Sequence, residues 1–303
     1  MVQQNVVVFG GSGFLGRAIV QRLVKAGNRT VVAARHPRVA RCPEATGAIE
    51  HRAVDVRDDA SVARVLQGAD AAVNAVSLYV ERRDLRFADI HVDAAEHIAR
   101  LASQEGVKAL VHVSGIGVST DSASAYVRAR AHGEQAVREA FPQATILRPS
   151  VLFGPEDAFL ANLKTITRLP VIPLFGNGST RLQPVHVEDA AMAVARALET
   201  PLATGQVFEL GGANVYRYRE LLLAVMEHAG RHRPLLPVPF ELWKLLAALM
   251  SILPNPPLTH DQVILMQEDN VVGDGANTFK DLGIEPCDLM AMLPRLASSD
   301  TAL

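Results

Sequence analysis

Apolar residues in the first half of the chain fall in short continuous runs separated by amphipathic stretches. The runs are Asn5–Phe9, Thr30–Ala34, Ile49–Val54, Ala71–Val76, Ala109–Ser114 and Thr145–Arg148. Apolar runs of this length without alternation mark strands buried on both faces. Between them, Phe14–Ala26, Ala60–Leu66, Phe87–Glu105 and Ala125–Ala140 carry apolar positions three and four apart, the period of a helix with one buried stripe. Strand and helix alternate. That rhythm predicts an α/β fold, a doubly wound parallel sheet with helices on both faces. Ligands of such sheets bind at the carboxyl ends of the strands, where the strand order reverses.

After about residue 150 the rhythm loosens, and Pro149, Pro155, Pro170, Pro173, Pro184 and Pro201 punctuate shorter elements. Asp157–Arg168 and Glu188–Glu199 still read as helices and Gln206–Leu210 as a strand. Pro234–Pro257 is rich in proline and leucine. The pattern predicts a first domain over 1–150 and a smaller C-terminal lobe over 151–303, interleaved with the first.

The first strand runs into Gly10-Gly11-Ser12-Gly13-Phe14-Leu15-Gly16-Arg17. Gly10, Gly13 and Gly16 stand three apart between a strand and a helix, the dinucleotide-binding pattern of a Rossmann fold. Gly10 permits the tight turn, Gly13 clears the path of a pyrophosphate, and Gly16 lets the helix pack close. Backbone N–H groups from Ser12 to Arg17 then face the phosphates with the helix dipole behind them. NAD-binding folds place an acid after the second strand to accept from the ribose 2′-OH. Here the second strand ends in Arg35-His36-Pro37-Arg38. An arginine fork suits a 2′-phosphate, and Arg17 is a second cation for it. The cofactor expected is NADP(H), with NAD(H) as the alternative. The other reading of these arginines is a solvated surface.

Net charge is −2, which implies no bulk attraction to nucleic acid. The two cysteines, Cys42 and Cys287, make neither a disulfide framework nor a zinc site, and the ten histidines lack metal-ligand spacing, so no metal is expected. The first strand starts too early for a secretory signal, and no apolar run reaches the length of a membrane span. A cytoplasmic protein is expected, with peripheral contact at the inner membrane as an extension of that reading.

Later motifs follow in one order. Asp55-Val56 follows the third strand, Asn74-Ala75 closes the fourth, and His112-Val113-Ser114-Gly115 closes the fifth. Tyr126-Val127-Arg128-Ala129-Arg130 opens a helix, Arg148-Pro149 precedes Gly154-Pro155, and Val185-His186-Val187-Glu188-Asp189 opens another helix. This series resembles the short-chain dehydrogenase/reductase superfamily in its extended, atypical branch. The resemblance implies that Asp55 and Val56 meet the adenine and that Asn74, Ala75 and Pro149 line the cofactor. It also implies that Ser114, Tyr126 and Arg130 occupy the catalytic Ser, Tyr and Lys positions. In that chemistry Tyr exchanges a proton with a carbonyl oxygen, Ser orients the oxygen, and Lys lowers the phenol pKa and holds the ribose. Arg130 stands where Lys is expected, and its planar fork differs from a compact ammonium. Read as residues alone, Ser114 equally satisfies strand-end backbone groups, Tyr126 equally packs against a nucleotide, and Arg130 equally pairs with a carboxylate or phosphate.

Ser124–Arg128 with Gly133-Glu134, Ala140-Phe141-Pro142, Phe153–Leu160, Leu182–Val187 and Phe279–Ile284 are similar to the group formed by complex I alpha subcomplex subunit nine and its bacterial relatives. That resemblance implies a respiratory-complex subunit as partner, a place near the membrane and quinone, and a link to ubiquinone metabolism; Arg130 in place of the Lys adds the expectation of weak or no turnover. The superfamily also implies two alternatives: an NADPH-dependent oxidoreductase on an apolar carbonyl or hydroxyl, and a sugar-nucleotide epimerase or dehydratase. Finally, Phe240–Leu253 places Glu241, Lys244, Ala248 and Ser251 on one narrow stripe and is otherwise apolar. It is too short to span a bilayer. Its wide face is either core or a surface for a membrane, a quinone or a partner.

Overall fold

A computed structural model of the protein describes residues 3–37, 47–82, 84–253 and 256–298, the last four by backbone alone. Arg38 and Cys42 lie outside the described residues. The elements of the first half are β1 (Asn5–Phe9), α1 (Phe14–Lys25), β2 (Arg29–Ala34), β3 (Ile49–Ala53), α2 (Asp59–Leu66) and β4 (Ala71–Asn74). They continue with α3 (Ala94–Gln104), β5 (Ala109–Val113), α4 (Ala125–Ala140) and β6 (Thr145–Pro149). With a seventh strand, Val207–Leu210, they form one sheet. Every pair in it is parallel, and the spatial order from one edge is seventh strand, β6, β5, β4, β1, β2, β3. The order reverses between β1 and β4.

The pleat sends alternate side chains to opposite faces. Val6 and Val8 of β1 enter one core with α1 and α6 (Val187–Glu199). Val7 and Phe9 enter the other with α2, α3 and α4. The later segment 187–210 therefore lies in the first sheet's layers. A third cluster joins α5 (Ala158–Ile166), the strand Ile172–Phe175, α7 (Tyr218–His228) and the start of α10 (Leu289–Ser298).

Some boundaries differ from the expected ones for local reasons. β4 stops at Asn74 because the Asn74 side chain accepts the Val76 N–H at 3.1 Å and turns the chain. The helix expected over 87–105 runs unbroken from Phe87 to Gln104, but Asp89–Asp93 within it widens into a π turn ahead of α3. A Cβ on Gly133 of α4 would lie 1.7 Å from the His91 carbonyl oxygen, so the widened turn sits directly on α4. Asp157 caps α5, accepting the Leu160 N–H at 2.6 Å.

The segment read as amphipathic forms α8 (Phe240–Met250). It attaches through Trp243, whose indole N–H donates to the Leu174 carbonyl at 2.9 Å and whose ring meets Phe175 at 4.5 Å. Ala247 is buried. The opposite side, Leu242, Leu245, Leu249 and Ile252, is exposed, reaching 63% at Leu249 and 85% at Ile252. The short α9 (His260–Leu265) packs beside it.

The close seat of α4 on the π turn yields a prediction. Gly133→Ala forces backbone apart and should lower stability by about 1–3 kcal/mol. Urea unfolding should show a reduced midpoint at unchanged slope. A midpoint equal to that of the parent chain would show that the two elements separate freely.

Candidate functional site

The carboxyl ends of β1, β4 and β5 surround the switch point. Gly10 turns there with φ +77, and its Cβ position lies 2.8 Å from the Ala75 carbonyl oxygen. A Cβ on Gly16 would lie 2.1 Å from the Gly10 carbonyl oxygen, so α1 rests on the turn itself. Gly13 is the N-cap of α1, with φ −75 and no side-chain capping bond. Its backbone is ordinary, so its value lies in space: a Cβ there would meet only the Gly10 oxygen, at 3.2 Å, within 4 Å. An open approach to the uncapped first turn of a helix fits a phosphate. Leu15 packs against the first core. A Cβ on Gly154 would lie 3.4 Å from Phe14 Cζ, so the loop after β6 runs along the Phe14 ring.

Arg17 of α1 reaches that loop. Its Nη2 lies 3.3 Å from Glu156 Oε2, a pair open to solvent. Glu156 has φ +63, a left-handed conformation unusual for a residue with a side chain. Arg35 stands exposed just beyond β2. Asp55 is gripped by Arg57, with 3.0 Å from Nε to Oδ1 and 2.7 Å from Nη2 to Oδ2. The Arg57 guanidinium holds the Asp55 carboxyl below its ordinary range, helped by the charge of Arg35. Val56 beside it is buried.

Beside the carboxyl end of β5 the structure brings Tyr126 and Arg130 together. Arg130 Nη1 donates to Tyr126 Oη at 2.5 Å and to Ser77 Oγ at 3.3 Å, and Nη2 donates to the Val113 carbonyl at 3.3 Å. Arg130 is only 7% exposed. Among the described residues it has no carboxylate partner, and its Nε has no hydrogen-bond partner at all. Ser114, 3% exposed, has an equally unpartnered hydroxyl. The Ser114 hydroxyl is therefore not spent on strand-end backbone groups. A Cβ on Gly115 would lie 3.7 Å from Arg130 Nε and 3.8 Å from the Pro149 carbonyl oxygen, which in turn accepts the Ile116 N–H at 3.2 Å. Two buried donors without acceptors beside a glycine fit a bound oxygen-rich ligand.

Burial pushes the Tyr126 phenol up to about 12, against the lowering charge of Arg130. The phenol is thus protonated at neutral pH, able to donate a proton but not to act as a base. Its ring is boxed by Tyr79 (5.8 Å, stacked), Phe87 (5.5 Å, edge-on) and His91 (5.3 Å, edge-on). Burial, then the Arg130 charge, lowers both His91 and His112 to about 3, so both are neutral. His91 Nε2 contacts the Leu78 carbonyl at 2.9 Å, and His112 Nδ1 contacts Asn74 Nδ2 at 3.1 Å. The Asn74 side chain is thus turned to β5 and its own turn.

Ser77, Tyr79, His91 and Asp261 were not singled out as site residues by sequence reasoning. Ser77 and Tyr79 follow a strand end, which was a usable signal. Asp261 had none. From α9 its Oδ1 accepts the Ser124 hydroxyl at 2.6 Å and the Tyr126 N–H at 3.4 Å, so the C-terminal lobe caps α4. Asp189 accepts the Cys287 N–H at 2.7 Å, tying a later loop to the first turn of α6.

Residues 6–211 match the profile of the NAD dependent epimerase/dehydratase family. The chain is 33% identical over 295 residues to the mitochondrial NADH dehydrogenase [ubiquinone] 1 alpha subcomplex subunit 9 of Arabidopsis thaliana, covering 92% of this chain and 73% of that one. It is 32% identical over 298 residues to the subunit of the same name from Dictyostelium discoideum, covering 96% and 83%. In fold it superposes on the Escherichia coli NADPH-dependent quinone oxidoreductase QOR2, complexed with NADPH, with a TM-score of 0.76 at 19% identity over 98% of this chain and 99% of that one.

The box around Tyr126 sets its ionisation. Titration followed at 295 nm should lose one phenolate near pH 12 in Tyr126→Phe, with the absorbance change below pH 10 unaltered. Loss of a phenolate below pH 10 would mean that Arg130 outweighs burial.

Proposed function

The chain belongs to the NAD dependent epimerase/dehydratase family, and on that premise we propose that it is an NADP(H)-binding protein of respiratory complex I or ubiquinone metabolism with little or no turnover. The observation that carries this reading is an open, uncapped helix start after β1 together with two buried, unpartnered donors, Ser114 and Arg130, beside the end of β5. The first suits a pyrophosphate and the second suits the ribose and nicotinamide end. Names of the relatives support a respiratory-complex partner.

NADP(H) is favoured over NAD(H) by Arg35 at the end of β2 and by the commitment of Asp55 to Arg57. Among the described residues Arg17 is held by an exposed ion pair with Glu156, and such pairs contribute little, so a phosphate competes well for it. Low turnover is favoured by the high phenol pKa and by a guanidinium in place of an ammonium. Calorimetric titration tests the reading. NADP(H) should bind the parent chain more tightly than NAD(H), Arg35→Ala should cut that preference about tenfold or more, and Gly13→Val should abolish binding with unchanged circular dichroism. Equal affinities for both cofactors, or normal binding by Gly13→Val, would sink it.

A second reading, an NADPH-dependent reductase of an apolar carbonyl or quinone, has one observation in its favour. The free Ser114 hydroxyl and the protonated Tyr126 phenol both have a donor to offer a carbonyl oxygen. Rapid oxidation of bound NADPH by a quinone, lost in Tyr126→Phe, would establish it over the first. The sugar-nucleotide reading rests on the family match and the fold.

No helix among the described residues is long and apolar enough to cross a membrane. The exposed stripe Leu242, Leu245, Leu249 and Ile252 instead favours peripheral attachment to a membrane surface, from the cytoplasmic side. The parent chain should float with phosphatidylcholine–phosphatidylglycerol vesicles, and Leu245→Glu with Leu249→Glu should leave it soluble and equally stable. Equal flotation of both would remove α8 as the contact.

A further inference from the structure

The charge around Arg130 is not balanced. Each element that packs on it offers a neutral group: Tyr126 from α4, Ser77 from the loop after β4, the Val113 carbonyl and His112 from β5, and His91 from the π turn. The nearby carboxylates are committed elsewhere. Asp261 caps the start of α4 through Ser124 and the Tyr126 N–H. Glu134, the next turn of α4, is held by Arg148 through three contacts, at 2.7, 3.0 and 3.3 Å. Asp89 of the π turn accepts the Arg86 N–H at 2.7 Å. A guanidinium does not deprotonate in a protein. The interior beside Arg130 therefore carries one positive charge at every pH near neutrality, with little water to screen it.

We infer that this site discriminates the redox state of its nucleotide, holding the uncharged dihydronicotinamide of NADPH in preference to the positively charged nicotinamide ring of NADP+, because Arg130 is a buried cation with no counter-ion among the described residues. This rests on the reading of the site as one for a nicotinamide dinucleotide. The two nucleotide forms carry the same phosphates, riboses and adenine, so the glycine turn, Arg17 and Arg35 treat them alike. The nicotinamide ring differs by one charge. A ligand shifts an equilibrium only through its differential interaction with the two states. Here the differential interaction is repulsion between two like charges in a poorly screened site, large enough for a preference of at least about tenfold. By the same linkage, bound nucleotide is harder to oxidise than free nucleotide. A protein built this way retains the reduced cofactor.

Calorimetric titration of NADPH and NADP+ against the full chain tests the inference through the ratio of the two dissociation constants. Loss of ribose contacts weakens both forms and cancels in the ratio. The parent chain should bind NADPH at least tenfold more tightly than NADP+. Arg130→Lys should keep most of that ratio, and Arg130→Met should bring it close to one. A ratio near one in the parent chain overturns the inference even if the methionine variant does not fold. An unchanged ratio in Arg130→Met overturns it as well. Absence of binding by either nucleotide to the parent chain would instead overturn the reading on which it rests.

Discussion

The seat of α1 on the turn after β1 is the constraint from which the rest of the molecule follows. The Gly16 Cα stands where any side chain would lie 2.1 Å from the Gly10 oxygen. Gly10 itself is pressed against the Ala75 carbonyl at the end of β4. Three elements thus meet with backbone against backbone, and the approach leaves no side chain to cap α1. The helix start stays open because the packing that holds it excludes anything to close it. The same close packing sets α1 against α6, so the first layer is complete only when a segment from beyond residue 185 returns to it.

A second close approach governs the site beside the end of β5. Gly133 lets α4 lie directly on the π turn at His91. That contact brings a neutral histidine edge-on to Tyr126 and puts Arg130 under the phenol, deep enough to lose its water. Dehydration explains why the phenol is raised although a cation touches it: burial of the charged form costs more than Arg130 returns. The C-terminal lobe completes the arrangement through Asp261, which supplies the helix-capping carboxylate that α4 lacks within its own neighbourhood. The two halves of the chain therefore build one site. The exposed side of α8 remains outside it, next to the helix that carries Asp261.

What the sequence by itself determined was the part written in local chemistry. Apolar runs located β1, β2, β4, β5 and β6 to within a few residues, because strands inside a parallel sheet are buried on both faces, whereas β3, Ile49-Glu50-His51-Arg52-Ala53 at the sheet edge, is largely half-exposed. The glycine spacing placed the tight turn between β1 and α1, where Gly10 and Gly16 both need glycine. The absence of an acid after β2 and the Arg at the Lys position were legible at single positions. The tertiary structure decided the rest. Gly13 has an ordinary φ of −75 and, apart from the Gly10 oxygen, open space at its Cβ position. The helix expected over 87–105 is present, but its π turn over Asp89–Asp93 is not legible, because the element it packs against is α4, distant in sequence. The Glu156 partner of Arg17 lies on the loop after β6, the rings that box Tyr126 come from the stretch between β4 and α3, and the committed carboxylates around Arg130 come from three elements, α4, α9 and the π turn. No window of sequence contains that balance. Burial and the sum of charges at a point depend on everything packed around it, and only the folded chain brings those groups within range of one another.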